Sequence, residues 1–207
     1  MKATLVSKNP HKARELERLL PGWEIEPLDV PALPEETGAT FYDNALAKAL
    51  YGRAVGDAGT WMIGEDSGLE VEGLDGRPGI RSARYAGAGA SDEENTAKLL
   101  AELADVAGDG RRGRYVSELV CIDPGLVEYR GSGTLAGRIA AEPRGSAGFG
   151  YDPVFVPEGE ERTVAELGDD WKARRSHRAA AAAALRDAVE VSGPSSRSGS
   201  GPVRRAR

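Results

Sequence analysis

Four separated stretches of this 207-residue chain place charged or flexible polar side chains where the hydrophobic pattern breaks. In Ser7-Lys8-Asn9-Pro10-His11-Lys12, Asn9 can cap a helix that Pro10 opens. Free N–H groups and the dipole at such a start favour an anion such as phosphate, although an ordinary capped helix with solvated lysines fits the same residues. Glu35-Glu36-Thr37-Gly38, with Lys48 in the helix that follows, reads either as an acid and ammonium set or as solvated surface. Glu65-Asp66-Ser67-Gly68 is sharper, because it follows the apolar Met62-Ile63 directly and puts two acids at the rim of a buried strand. Carboxylates there are costly unless a cation or hydrogen bonds compensate them. Mg²⁺, which takes one or two carboxylates together with phosphate and water oxygens, is such a cation; a simple acidic turn is the plainer alternative. Last comes Gly148-Phe149-Gly150-Tyr151-Asp152-Pro153, with Lys172 and Ser176-His177-Arg178 downstream. Glycines beside Phe149 let backbone approach a flat ligand on which the ring can stack, and His177 and Arg178 can donate to carbonyl or phosphate oxygens. A glycine-rich loop and a capped surface helix would read alike.

The elements that must hold these residues follow from periodicity and caps. Lys2 to Val6 reads as a strand, and the helix after it runs to about Leu20, where Pro21-Gly22 ends it. A possible strand lies among the prolines of Trp23 to Pro34. Thr40, with Asp43 three residues on, caps a helix over Phe41 to Val55 that Gly56 closes. Trp61 to Gly64 and Leu69 to Leu74 read as two short strands, which leaves the acids at the carboxyl end of the first, where open α/β sheets bind ligands. Ser91 and Glu94 box the start of a helix to about Val106. Arg114 to Asp123 and Leu126 to Thr134 read as a hairpin around Asp123-Pro124-Gly125. Val154 to Val156 is a short apolar run, and Ser176 opens a last helix, through six consecutive alanines, to Val191. This mixture predicts an α/β fold, a mixed central β-sheet flanked by helices, in two lobes with a groove between them. Residues 1–191 are expected to form one domain, and the Ser/Gly/Pro/Arg tail, 192–207, to be disordered.

Composition sets bounds on the setting. No stretch approaches the ~20 apolar residues of a membrane span, and the amino terminus shows no signal-peptide pattern. The single cysteine, Cys121, excludes an intramolecular disulfide, so a cytoplasmic protein is expected. The net charge of −6 hides a basic tail of four arginines, which leaves −10 on residues 1–191. That acidity argues against a nucleic-acid-binding surface and makes an anionic substrate a puzzle. Only six of the 27 basic residues are lysines, so Lys12, Lys48 and Lys172 stand out as compact point charges.

The combined blocks resemble the inosine triphosphate pyrophosphatase family over roughly residues 2–190. They are Ser7-Lys8-Asn9 with Lys12 and Glu15; Glu36-Thr37-Gly38 with Thr40-Phe41 and Asn44-Ala45; Asp66-Ser67-Gly68-Leu69; Pro78-Gly79 with Ser82-Ala83-Arg84-Tyr85; and Gly148 to Pro153, Ala165-Glu166-Leu167, Lys172 and Ser176-His177-Arg178. The resemblance implies a homodimeric enzyme that cleaves non-canonical purine nucleoside triphosphates (ITP, dITP, XTP) to monophosphate and pyrophosphate. It further implies that Ser7 to Lys12 form a phosphate turn, that Glu36 and Asp66 hold Mg²⁺, and that Asp66 is the general base. Lys12, Lys48 and Lys172 would neutralise the triphosphate, with Ser67 near the phosphates or sugar. Phe149, Gly150, Tyr151 and Asp152 would cradle the base, and His177 and Arg178 would contact its edge. The chain departs from the pattern in Lys8, where glycine is usual, in Asp43, where Glu is common, and in Glu65, where aspartate is common. A Maf-like pyrophosphatase with another base preference and a non-catalytic nucleotide-binding module are the alternatives.

Overall fold

The computed structural model describes residues 1–192. Along the chain run β1 (Lys2–Leu5), α1 (Pro10–Leu19), β2 (Glu24–Pro27), α2 (Phe41–Val55), β3 (Trp61–Val71), α3 (Asp92–Glu102), β4 (Arg112–Ile122), β5 (Glu128–Ile139), β6 (Phe155–Pro157), α4 (Val164–Leu167), α5 (Asp169–Arg175) and α6 (His177–Ser192). The helix starts are chemically fixed: Asn9 accepts from His11 N at 2.9 Å, and Thr40 and Ser91 form reciprocal capping boxes with Asp43 and Glu94. Ser176 Oγ caps α6 by accepting from Ala179 N.

Six strands form one mixed sheet in the order β2-β1-β3-β4-β5-β6. The first three are parallel and the rest antiparallel. The α/β fold with a mixed, helix-flanked sheet is therefore as expected. On one face α1 and α6 cover the sheet through a core that includes Leu16, Leu20, Ile63, Leu119, Cys121, Ala181 and Leu185. The other face receives α2 on Ala45, Ala49, Val120 and Ile122. A second core, around Leu69, Tyr85, Leu99, Tyr115 and Phe155, packs the far ends of β3 to β5 against α3 and the loops beyond β5.

Two packing details tie sequence to shape. A Cβ at Gly131 would lie 2.1 Å from the Ala181 carbonyl oxygen, and one at Gly133 would lie 2.2 Å from that of His177. The alanine run of α6 and these two glycines of β5 are thus one device that brings a helix onto a sheet at backbone distance. Gly64 serves α2 in the same way, since a Cβ there would lie 1.9 Å from the Ala45 carbonyl oxygen.

The structure differs from the sequence reading in four places. β3 is one strand of 11 residues rather than two short ones, because β4 pairs with it without interruption from Met62↔Ile122 to Val71↔Gly113. Glu65 and Asp66 therefore sit in mid-strand, not at a strand end. α3 stops at Glu102, and β5 continues past Thr134 to Ile139 because the far half of β4 is available to pair with it. The short helices α4 and α5, the second carrying Lys172, are too brief to show a period. The expectation for the basic tail concerns residues outside those described, apart from Ser192, which ends α6.

Candidate active site

Strand alternation sends neighbouring side chains to opposite faces, and β3 uses this at its centre. Glu65 and Ser67 point toward α1 and α6, and Asp66 points toward α2. Parallel pairing with β1 ends at Leu5↔Ile63, so beyond that point the chain leaving β1 and the start of α1 line this side of β3.

On the α2 side, Asp66 Oδ2 accepts from Asn44 Nδ2 at 3.0 Å, and Oδ1 lies 3.5 Å from Lys48 Nζ. The same ammonium lies 2.5 Å from Glu36 Oε1 and donates to the Glu65 carbonyl oxygen at 3.1 Å. Arg84 grips the other Glu36 oxygen and reaches the Glu36 backbone carbonyl at 3.3 Å. The two acids are shifted in opposite directions. Burial pushes the Asp66 carboxyl up, with Lys48 and Asn44 opposing. Glu36 is also penalised by burial, but Lys48 and Arg84 outweigh this and hold it below the ordinary carboxylate range. Burial works against the Lys48 ammonium as well, and Asp66 and Glu36 together raise it.

On the α6 side the centre of the charge network is buried, with Lys12 and Glu15 at its partly exposed edge. Glu65 Oε2 lies 2.5 Å from Lys12 Nζ, and its Oε1 receives Arg178 at 3.0 Å. Arg178 also donates to Ser67 Oγ at 3.0 Å and pairs with Glu15. Lys172 joins Glu15 at 2.7 Å to Asp152 at 2.9 Å, and its ammonium lies 4.4 Å from the centre of the Phe149 ring. Burial opposes the charged form of Glu65, yet Lys12 and Arg178 hold it well below the usual range. Burial raises the Asp152 carboxyl despite Lys172. His177 stacks on Tyr115 with centroids 4.6 Å apart, and its buried Nδ1 has no hydrogen-bond partner. Burial, reinforced by the Arg178 charge, drives its pKa far down, so the ring is neutral at pH 7.

A cavity of about 110 Å³ brings together Asn9, Lys12, Ser67, Phe149, Lys172 and Arg178, with Gly150, Tyr151, Asp152 and His177 also in its wall. A second, of about 290 Å³, shares Phe149 and Lys172 with it and is also walled by His11, Glu15 and Ser176. Not all candidate residues converge. Ser7 Oγ accepts from Asn9 N, and Pro10 opens α1. Lys8 lines neither cavity, and its ammonium donates to the Pro31 carbonyl at 2.6 Å. Gly150 N is tied to Asp92 at 2.6 Å, and Tyr151 donates to the Ser82 carbonyl. Glu36, Lys48 and Asp66 form their own group across β3 and line neither cavity.

Three contributors had no role assigned from sequence. Glu15 is one helical turn from Lys12, so spacing on α1 places both on one face. Asn44 also donates no more than it accepts, since its Oδ1 takes Gly38 N and braces the loop that carries Glu36. Arg84 lies 48 residues from Glu36, and no local spacing links them.

Whether the acids suit a hard cation can be judged from their placement. Glu36 and Asp66 oxygens converge on one nitrogen, so they border one small volume, and both are hard donors. Among the described residues no three His, Cys, Asp or Glu side chains form a metal cage. Two carboxylates fit Mg²⁺, which completes its shell with phosphate and water oxygens.

Clustered cations can offset a polyanion, an aromatic ring beside a cavity can stack on a flat group, and a buried carboxyl can accept a proton, a combination suited to phosphoanhydride hydrolysis. Known proteins agree: the chain belongs to the Ham1 family, whose model matches residues 3–188. It is 45% identical over 197 residues to the dITP/XTP pyrophosphatase of Opitutus terrae, covering 89% of this chain and 97% of that protein. The Mycobacterium tuberculosis protein of the same description is 45% identical over 196 residues, covering 91% and 95%. Among solved structures, the Staphylococcus aureus Ham1 protein matches with a TM-score of 0.79 and 35% identity, over 92% of this chain and 99% of that one. The Mycobacterium abscessus dITP/XTP pyrophosphatase matches with a TM-score of 0.70 and 42% identity, covering 89% and 97%.

Proposed function

We propose that the protein hydrolyses non-canonical purine nucleoside triphosphates, ITP, dITP and XTP among them, to the monophosphate and pyrophosphate, and so removes them from the nucleotide pool. The observation that carries this reading is the pairing across β3 of an acid group built around Asp66 with a basic groove built around Arg178. The relatives' shared description as dITP/XTP pyrophosphatases supports it over a Maf-like preference or a non-catalytic module.

In this reading water attacks the α-phosphorus and the bond to the bridging oxygen of the β-phosphate breaks, releasing pyrophosphate. Asp66 Oδ1, free of the Asn44 hydrogen bond, takes the proton of the water. Burial raises this carboxyl in the metal-free protein. Lys12, Lys48 and Lys172 exchange protein carboxylates for phosphate oxygens, and positioning with charge stabilisation supplies most of the barrier reduction. Mg²⁺, held by Glu36 and Asp66, would contribute Lewis-acid polarisation and stabilise the departing pyrophosphate.

Base choice follows from donors at the groove wall. A purine with an oxo group at the six-position accepts from Arg178 or a backbone N–H, whereas adenine presents an amino donor there. An unmatched buried donor costs about 1–3 kcal/mol. Neutral His177 offers one N–H at most. Homodimerisation rests on the family resemblance, and the lone buried thiol of Cys121 supports a reducing compartment such as the cytoplasm.

A triphosphate panel with Mg²⁺, in which monophosphate, pyrophosphate and orthophosphate are scored separately, tests the reading. Pyrophosphate and monophosphate from ITP and XTP in preference to ATP and dTTP are expected; orthophosphate release, or a pyrimidine preference, would overturn it.

A further inference from the structure

Glu65 stands directly before the proposed base, Asp66, on the opposite face of the strand, and its carboxylate is the point where two helices are fastened to the sheet. It is 1% exposed. One oxygen is paired with Lys12 of α1 at 2.5 Å; the other receives both Nη2 and Nε of Arg178 of α6, at 3.0 and 3.3 Å. Its backbone oxygen takes Lys48 Nζ at 3.1 Å. A single residue therefore touches two cations read above as phosphate-binding and the guanidinium read as base-reading. We propose that Glu65 is a positioning residue that sets base selectivity, by fixing Arg178 and by offsetting the charge of Lys12.

This inference rests on the pyrophosphatase reading, and its physical basis is the unequal value of the two partners. Phosphate binding through Lys12 is common to every nucleoside triphosphate and discriminates nothing. A buried negative charge beside Lys12 weakens that common term. Arg178 discriminates only while it is held, because a guanidinium free to rotate can turn from a mismatched base edge and avoid the loss of an unpaired donor. Ser67 Oγ and Glu15 also hold Arg178, but Ser67 is neutral and Glu15 is shared with Lys172. Glutamate also has the reach for both pairs. An aspartate, one methylene shorter, cannot keep both distances unless α1 or α6 moves.

Steady-state pyrophosphate release from ITP and from ATP, with Mg²⁺ saturating, is measured for the wild type, Glu65→Gln and Glu65→Asp, together with their melting temperatures. The expected result for Glu65→Gln is a fall of about tenfold or more in the ratio of kcat/KM for ITP over ATP. It comes from a lower ITP value, while KM for ATP does not rise. Glu65→Asp is expected to fall between Glu65→Gln and the wild type. Folded variants whose two kcat/KM values decline in parallel, leaving the ratio within about twofold of wild type, would overturn the proposal, because a merely structural carboxylate gives that result. Should Glu65→Gln fail to fold, Glu65→Asp decides by the same ratio, and failure of both to fold would make Glu65 structural and also overturn it. A wild type that releases no pyrophosphate from any triphosphate would instead overturn the functional reading itself.

Discussion

On the α2 side of β3, Asp66 shares one ammonium with Glu36, a loop residue whose side chain keeps 26% of its surface exposed; on the α6 side, Glu65 and Arg178 are sealed at 0% and 2%. Both groups match acids with cations. Lys48 and Arg84 face Glu36 and Asp66; Lys12, Lys172 and Arg178 face Glu15, Glu65 and Asp152. They differ in what disturbance should cost. In the proposed reaction the first exchanges its internal pairs for phosphate and metal through its partly exposed members Glu36 and Arg84, and Lys12 and Lys172 meet phosphate from the second, so changes in the first should affect turnover. The second has a buried centre, Glu65, Arg178, Lys172 and Asp152, in which loss of one partner strands another in a low dielectric and should affect stability and base choice together.

The largest effect is expected at Asp66. Asp66→Asn should lower pyrophosphate release by about 10²- to 10⁴-fold while nucleotide binding, followed by calorimetry, survives. Near-normal turnover would assign the base elsewhere. Arg178→Met, on the sealed side, should cost about 3–5 kcal/mol in denaturant unfolding, because Glu65 loses a hydrogen-bonded partner in the interior. Equal stability losses for Arg178→Met and Lys48→Met would erase the contrast between the faces.

Smaller effects sharpen it. Gly133→Ala should push α6 away from β5 at the His177 carbonyl, destabilise by about 1–3 kcal/mol and reduce ITP selectivity. Unchanged stability and selectivity would show that the close approach of α6 is incidental. The smallest effect is a pH dependence. His177 has a folded pKa far below its unfolded value near 6.5, so the unfolded chain binds the proton first as pH falls. The stability held by neutral His177 is full above pH 6.5 and is lost below it, by at most about 1.4 kcal/mol per pH unit. His177→Asn should therefore gain on the wild type between pH 7 and 5 in unfolding free energy; a constant difference would contradict a neutral buried ring.

The helix starts were legible because Asn9, Thr40 and Ser91 announce themselves through short-range caps, and β4 with β5 through the Asp123-Pro124-Gly125 turn. β3 is not legible as one strand because acids in a strand centre look like a turn until their counterions are known, and those come from residues as distant as Lys12 and Arg178. The same distance hid Arg84 behind Glu36. The charge puzzle has the same origin. The acidity of −10 on residues 1–191 describes the surface at large, while each acid of the two groups is matched by a cation, so the groove is not part of that excess.

The division of labour across β3 requires that the water activated beside Asp66 end up on the α-phosphate. Hydrolysis of ITP in heavy-oxygen water, with mass analysis of both products, tests this most directly. The label is expected in the monophosphate and absent from pyrophosphate; label in pyrophosphate, from attack on the β-phosphorus, would contradict the account.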